Sequence, residues 1–139
     1  MVVRYLSAAE LCGLHELITE AAGTEASLLD EGKLEAASLR PQNAAYYDAA
    51  ALFEQAVVLI TGIAPAHAFS DGNKRLALLA DSTFLDLNGS VVRAPTHAFA
   101  EQILAIVSRD WRVALDPATR QLAAWLEKHA QPVENPAGS

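Results

Sequence analysis

Apolar positions recur along this chain at steps of three and four residues, the spacing of a single helix face. Leu11, Leu14, Ile18 and Ala21 form the first such stripe. Ser7 precedes it, and Glu10 follows Ser7 at capping-box spacing. In that arrangement the hydroxyl takes a free first-turn N–H and the carboxylate reaches back. Gly23 supplies a stop, and residues 24–32 read as loop. A short helix is predicted over residues 33–39, ended by Pro41, whose ring disfavours helix in the residue before it. Residues 41–47 show no period and read as an irregular or extended flap, with Asp48 capping the next helix. That helix carries Leu52, Ala56, Leu59 and Ile63 and ends at Pro65. Another is predicted from about Asn73 to Leu87, with Leu76, Leu79, Ala80, Thr83 and Leu87 on one face and Asn88-Gly89 as a left-handed stop. Pro95-Thr96 opens a helix with Phe99, Ile103, Ile106 and Val107. Asp116-Pro117 pairs an N-cap with a first-position proline, ahead of Leu122, Trp125 and Leu126.

No clean alternation supports a strand longer than a few residues. The pattern predicts an all-α fold. Residues 1–130 form one domain of about six helices, with a short flap or small hairpin before the central helix. Residues 131–139, polar and rich in Pro and Gly, read as a flexible tail that frays.

Composition narrows this picture. At 139 residues, 52% apolar and 19% charged, the chain can bury a single core without staples. The net charge of −7 and scattered Lys and Arg argue against direct nucleic-acid binding, which needs a basic face. One cysteine, Cys12, allows no internal disulfide and reads as a small buried apolar residue. The N-terminus has no signal-peptide pattern. The longest apolar stretch, around residues 56–66, is too short for a bilayer. A cytoplasmic protein without a membrane partner is the expectation.

One segment concentrates chemistry: His67-Ala68-Phe69-Ser70-Asp71-Gly72-Asn73-Lys74-Arg75. The helix opening near Asn73 offers unpaired N–H groups and the positive end of its dipole, which attract phosphate. Gly72 lets the backbone turn tightly against a ligand. Lys74 and Arg75 add charge there, although cations in a first turn oppose the dipole. Such a local conflict points to function. Asp71 is an oxygen ligand suited to Mg²⁺, which binds through one or two carboxylates plus phosphate oxygens. His67 can take a proton from an incoming hydroxyl. Phe69 reads as core.

The segment resembles the Fic/Doc family motif, H-x-F-x-[D/E]-[G/A]-N-[G/K]-R. Six nearly fixed residue types coincide by chance about once in 10⁸ start positions. The resemblance extends to Tyr5-Leu6-Ser7, Gly32-Lys33-Leu34-Glu35-Ala36-Ala37, Arg40-Pro41-Gln42, Leu52-Phe53-Glu54-Gln55-Ala56 and Phe84-Leu85-Asp86-Leu87-Asn88-Gly89, over about residues 4–126. Within the family, AMP-transferring members usually have Gly where this chain has Lys74, and a second Arg where it has Leu78. The pattern here is similar to the Doc branch, the death-on-curing toxins.

That resemblance implies a kinase that uses ATP and Mg²⁺, phosphorylates a threonine of elongation factor Tu and halts translation. It also implies a Phd-like antitoxin. By position, His67 would be the general base and Asp71 the metal ligand. Gly72 and Asn73 would form the anion cradle, Lys74 and Arg75 would grip the phosphates, and residues 41–47 would be the flap holding the target. Ala68 replaces a Pro common in relatives. An AMP-transferase and a non-catalytic binding module are the alternatives. Lys74 and Leu78 weigh against the first, and His67 weighs against the second. Residues 27–32 match a self-inhibitory Fic pattern, but its Glu would lack the second Arg, so a separate antitoxin is the expected regulator. His15 reads as solvent-facing or locally packed. His97 and His129 read as bland helix-end residues, and Trp111 and Trp125 as core or interface. Tyr46 and Tyr47 read as packing under the flap or touching a ligand.

Overall fold

The computed structural model describes residues 2–94, 98, 101–102 and 115–133. They form helices α1 (Ala8–Ala22), α2 (Glu31–Asp48), α3 (Leu52–Ile63), α4 (Asn73–Leu87) and α5 (Pro117–Lys128), and strands β1 (Ser90–Val92) and β2 (Ala130–Pro132). The all-α expectation holds. Of the helix expected from residue 95, only Ala98, Glu101 and Gln102 are described, all helical. His97, Phe99, Ile103, Ile106, Val107, Trp111 and residues 134–139 lie outside the described residues.

The helix α3 is the centre. Every residue from Gln55 to Ile63 is buried. A helix apolar on all sides must be surrounded, and α2, α4 and α5 pack around it. Its one buried amide is satisfied: Tyr5 Oη donates to Gln55 Oε1 at 2.7 Å, and Gln55 Nε2 donates to the Ala50 carbonyl at 2.9 Å. This ties the N-terminal segment to the middle of the molecule.

In α1 the capping box forms as read. Ser7 Oγ accepts the Glu10 N–H and Glu10 Oε1 accepts the Ser7 N–H, both at 3.1 Å. Gly23 ends the helix at φ 65°. The buried positions are Leu11 and His15, with Leu14 and Ile18 at the margin. His15 therefore does not face solvent, and its contacts are with a distant loop. Cys12 is half-buried, and burial pushes its thiol up.

The helix α2 departs most from expectation. It runs unbroken through Pro41 to Asp48. Residues 41–47 are thus not a flap, and Asp48 ends α2 instead of capping α3. Asp30 starts it, its Oδ1 accepting the Lys33 N–H at 3.0 Å. Pro41 removes one ladder donor and crowds the preceding turn. Burial of Leu34, Ala37, Ser38, Pro41 and Ala44 beside α3 offsets that cost. Tyr46 and Tyr47 stand exposed on the last turn, edge to face at 4.8 Å.

The bounds of α4 agree with the sequence reading. Its buried face is Leu76, Ala77, Ala80, Asp81, Phe84 and Leu85, rotated from the predicted stripe so that Leu79, Thr83 and Leu87 are half-buried. Asn88 closes this helix by donating to the Phe84 carbonyl at 2.7 Å, and Gly89 turns at φ 91°. Asp116 Oδ1 caps α5 through the Thr119 N–H at 2.8 Å. Leu122 and Leu126 are buried in the core, and Trp125 packs at its edge with its ring 4.4 Å from His129. After α5, β2 pairs antiparallel with β1, Val91 opposite Gln131. Gln131 and Pro132 therefore sit in a ladder, not in the frayed tail expected from residue 131. No helix among the described residues is long and apolar enough to cross a membrane.

Candidate active site

The loop between α3 and α4 begins with a sharp reversal. His67 adopts φ 52°, a left-handed conformation that costs a non-glycine residue about 1–2 kcal/mol. Strain of this kind persists where surrounding structure enforces it, often at functional sites. Here the reversal leaves His67 exposed while Ala68 and Phe69 turn into the core. Asn73 then closes the loop. Its Oδ1 accepts the Phe69 N–H at 3.1 Å and its Nδ2 donates to the Phe69 carbonyl at 2.8 Å.

The Asn73 side chain is used on Phe69 and so holds the loop. Gly72 is the N-cap of α4 at φ 80°, and no side chain among the described residues caps the first turn. The open N–H groups, the dipole and the exposed Lys74 and Arg75 therefore converge on one end of α4. His67, Asp71, Gly72, Asn73, Lys74 and Arg75 all line a single cleft of about 360 Å³. Arg75 also borders a neighbouring pocket of about 440 Å³ walled by Ile18, Leu78, Leu79 and Val92.

The described residues contain no cluster of three or more His, Cys, Asp or Glu that could cage a metal. Asp71 is exposed at the cleft as a single carboxylate. That donor set suits Mg²⁺, which keeps waters and takes its remaining ligands from phosphate oxygens. It suits neither zinc nor an all-protein calcium site.

Two supports of the loop escaped the sequence reading. The segment at residues 27–30 lies along it: Leu28 and Phe69 form an antiparallel bridge. The N–H groups of Leu29 and Asp30 donate to the Ala68 carbonyl at 2.7 and 3.1 Å, and that of Ser70 to Ser27 at 2.9 Å. The stretch that resembles an inhibitory motif is thus a strand-like brace followed by the cap of α2, and its Glu31 is exposed. The other support is His15, stacked on Phe69 with ring centroids 3.7 Å apart. Its signal was present: His15 lies four residues after Leu11 and three before Ile18, on the apolar stripe.

Comparison with known proteins adds identity to this geometry. Residues 5–85 match the Fic/DOC family. Toxin Doc of Mycolicibacterium smegmatis is 45% identical over 69 residues, 48% of this chain and 53% of that protein. Protein kinase doc of Escherichia phage P1 is 35% identical over 88 residues, 63% of this chain and 70% of that protein. The chain spans about half the length of the first of these relatives. The family match runs from the N-terminal segment through α1, α2, α3, the cleft loop and most of α4. On that coverage, and with the loop's residues assembled around one cleft, the chain belongs to the Fic/DOC family.

Proposed function

We propose that this chain is a Doc-like toxin that transfers the γ-phosphate of ATP to a protein hydroxyl. A threonine of elongation factor Tu is the expected acceptor and arrest of translation in the cytoplasm the outcome, until a Phd-like antitoxin neutralises the toxin. The observation that carries this reading is the uncapped N-terminus of α4, with Lys74 and Arg75, facing exposed His67 in one cleft.

The chemistry follows from the placement. The open N–H groups of α4 and the cations of Lys74 and Arg75 bind and orient the triphosphate. His67 accepts the proton of the incoming hydroxyl as its oxygen bonds to the γ-phosphorus. The bond from that phosphorus to the bridging oxygen breaks, and ADP leaves. When bound, Mg²⁺ held by Asp71 and phosphate oxygens would neutralise charge on the transferring group. Such catalysis is mostly positioning and electrostatics. Leu78 favours phosphate transfer over AMP transfer. It lies in an apolar wall beside Arg75, at the place where AMP-transferring relatives carry a second guanidinium.

Intact-mass spectrometry of elongation factor Tu, incubated with the protein, Mg²⁺ and ATP, tests the proposal. A gain of one phosphate is expected, and none with His67→Ala. An AMP-sized gain would move the chain to the AMP-transferases. Growth arrest that persisted in cells expressing His67→Ala would sink the kinase reading.

A further inference from the structure

His15 is 3% exposed, and its ring contacts converge on the cleft loop. The ring lies nearly parallel to Phe69, at 15°. Its Nε2 is 2.9 Å from the Asp71 carbonyl oxygen. A carbonyl only accepts, so Nε2 carries the hydrogen and donates it. A Cβ at position 72 would stand 3.3 Å from the same nitrogen, so the imidazole also fills the space under the Gly72 turn. Phe69, Asp71 and Gly72 are thus all referenced to one side chain delivered from α1, 56 residues earlier than Asp71.

We propose that His15 is a positioning residue for phosphoryl transfer. It fixes the turn at Asp71 and Gly72, so that the Asp71 carboxylate and the open N–H groups of α4 meet the same Mg²⁺-nucleotide. The inference rests on the phosphate-binding reading above. The physical reason is leverage. The Asp71 side chain is exposed and has no partner among the described residues, so its direction depends on the backbone that carries it. A small rotation of that backbone moves the carboxylate out of register with the helix N-terminus. Preorganisation of this kind comes from residues behind the reacting groups. Simple packing would need only the stack on Phe69. The hydrogen bond to Asp71 is the part that positioning needs.

Three substitutions separate these roles. His15→Phe keeps an aromatic ring on Phe69 and loses the donor. His15→Gln loses the ring but places an amide donor at similar reach. His15→Asn, too short to reach the carbonyl, gives the same contrast without an aromatic replacement. Hydrogen exchange in the free chain reads the turn without a ligand. The Phe69, Ser70 and Leu76 amides, which are hydrogen-bonded within or beside the loop, should exchange roughly tenfold faster in His15→Phe. They should stay near the unmodified rate in His15→Gln, with α5 unchanged throughout. Calorimetric titration with Mg²⁺-ATP should show affinity roughly tenfold weaker in His15→Phe and Asn, and largely recovered in Gln. Unchanged exchange and affinity in His15→Phe would overturn the proposal. So would a loss in Gln as large as that in Phe, because a donor at the same reach would then restore nothing. Asp71→Ala is the control. If it binds Mg²⁺-ATP like the unmodified chain, the metal assignment fails, and exchange alone then decides whether His15 holds the turn.

Discussion

Asp81 lies in the buried face of α4, and among the described residues neither of its carboxylate oxygens has a hydrogen-bond partner. Burial holds its carboxyl well above the usual carboxylate range. Between the ordinary and the raised value, the folded chain keeps a proton that the unfolded chain releases. Stability therefore falls as pH rises through that interval. Asp81→Asn should remove this slope and be the more stable protein at pH 8, by about 1–3 kcal/mol. Urea unfolding at several pH values checks it; parallel curves for the two proteins would mean that the carboxyl is not dry. Residue-scale chemistry was only partly legible in the sequence. The six cleft residues fall within nine consecutive positions, so their types and spacing announced them. Asp81 falls on a helix whose predicted stripe was rotated by about one position, and that stripe did not include it. His15 was passed over because its partners are distant in sequence.

The elements were legible where side chains mark their ends. Ser7 with Glu10, Gly23, Gly72, Gly89 and Asp116 each satisfy or release a specific backbone group, and the helices start and stop there. The failure at α2 has an equally specific cause. The local rule for Pro41 is sound, but five buried residues beside α3 override it. Two three-residue strands are too short to show any period, so β1 and β2 left no trace. The loop between α3 and α4 behaves as an element of its own, closed by Asn73. Asn73→Ala should unpair both Phe69 backbone groups. Lower thermal stability is expected, together with a fall in phosphate transfer of roughly 10- to 100-fold. A melt and a turnover assay on the same sample test this. Full activity at a lowered melting temperature would confine Asn73 to stability.

Across the whole molecule, the fold class followed from the helical period and the family from one nine-residue segment. The assembly around that segment did not follow from either. It depends on α1 and residues 27–30 arriving from elsewhere in the chain, and pairings of that range leave no local pattern. The far end of the chain contributes too. Ala130–Pro132 pairs with β1 directly after α4, and the His129 carbonyl accepts the Arg93 N–H at 2.8 Å. Truncation after residue 129 removes β2. The melting temperature should drop by about 3–8 °C, while His67 and Asp71 keep their places. Loss of all folded signal would instead make β2 part of the essential core.

The brace at residues 27–30 also bears on the order in which the parts of this protein come into being. A ribosome delivers α1 and that brace well before His67 and α4. Each contact that α1 and residues 27–30 make with the loop closes a long stretch of chain, and such closures come late because their entropy must be met first. A half-made chain, or one whose first thirty or so residues have come undone, carries the right letters at positions 67–75 without a working cleft. For a protein whose proposed target is the translation machinery, harmfulness would then belong to the assembled tertiary structure and not to the motif alone.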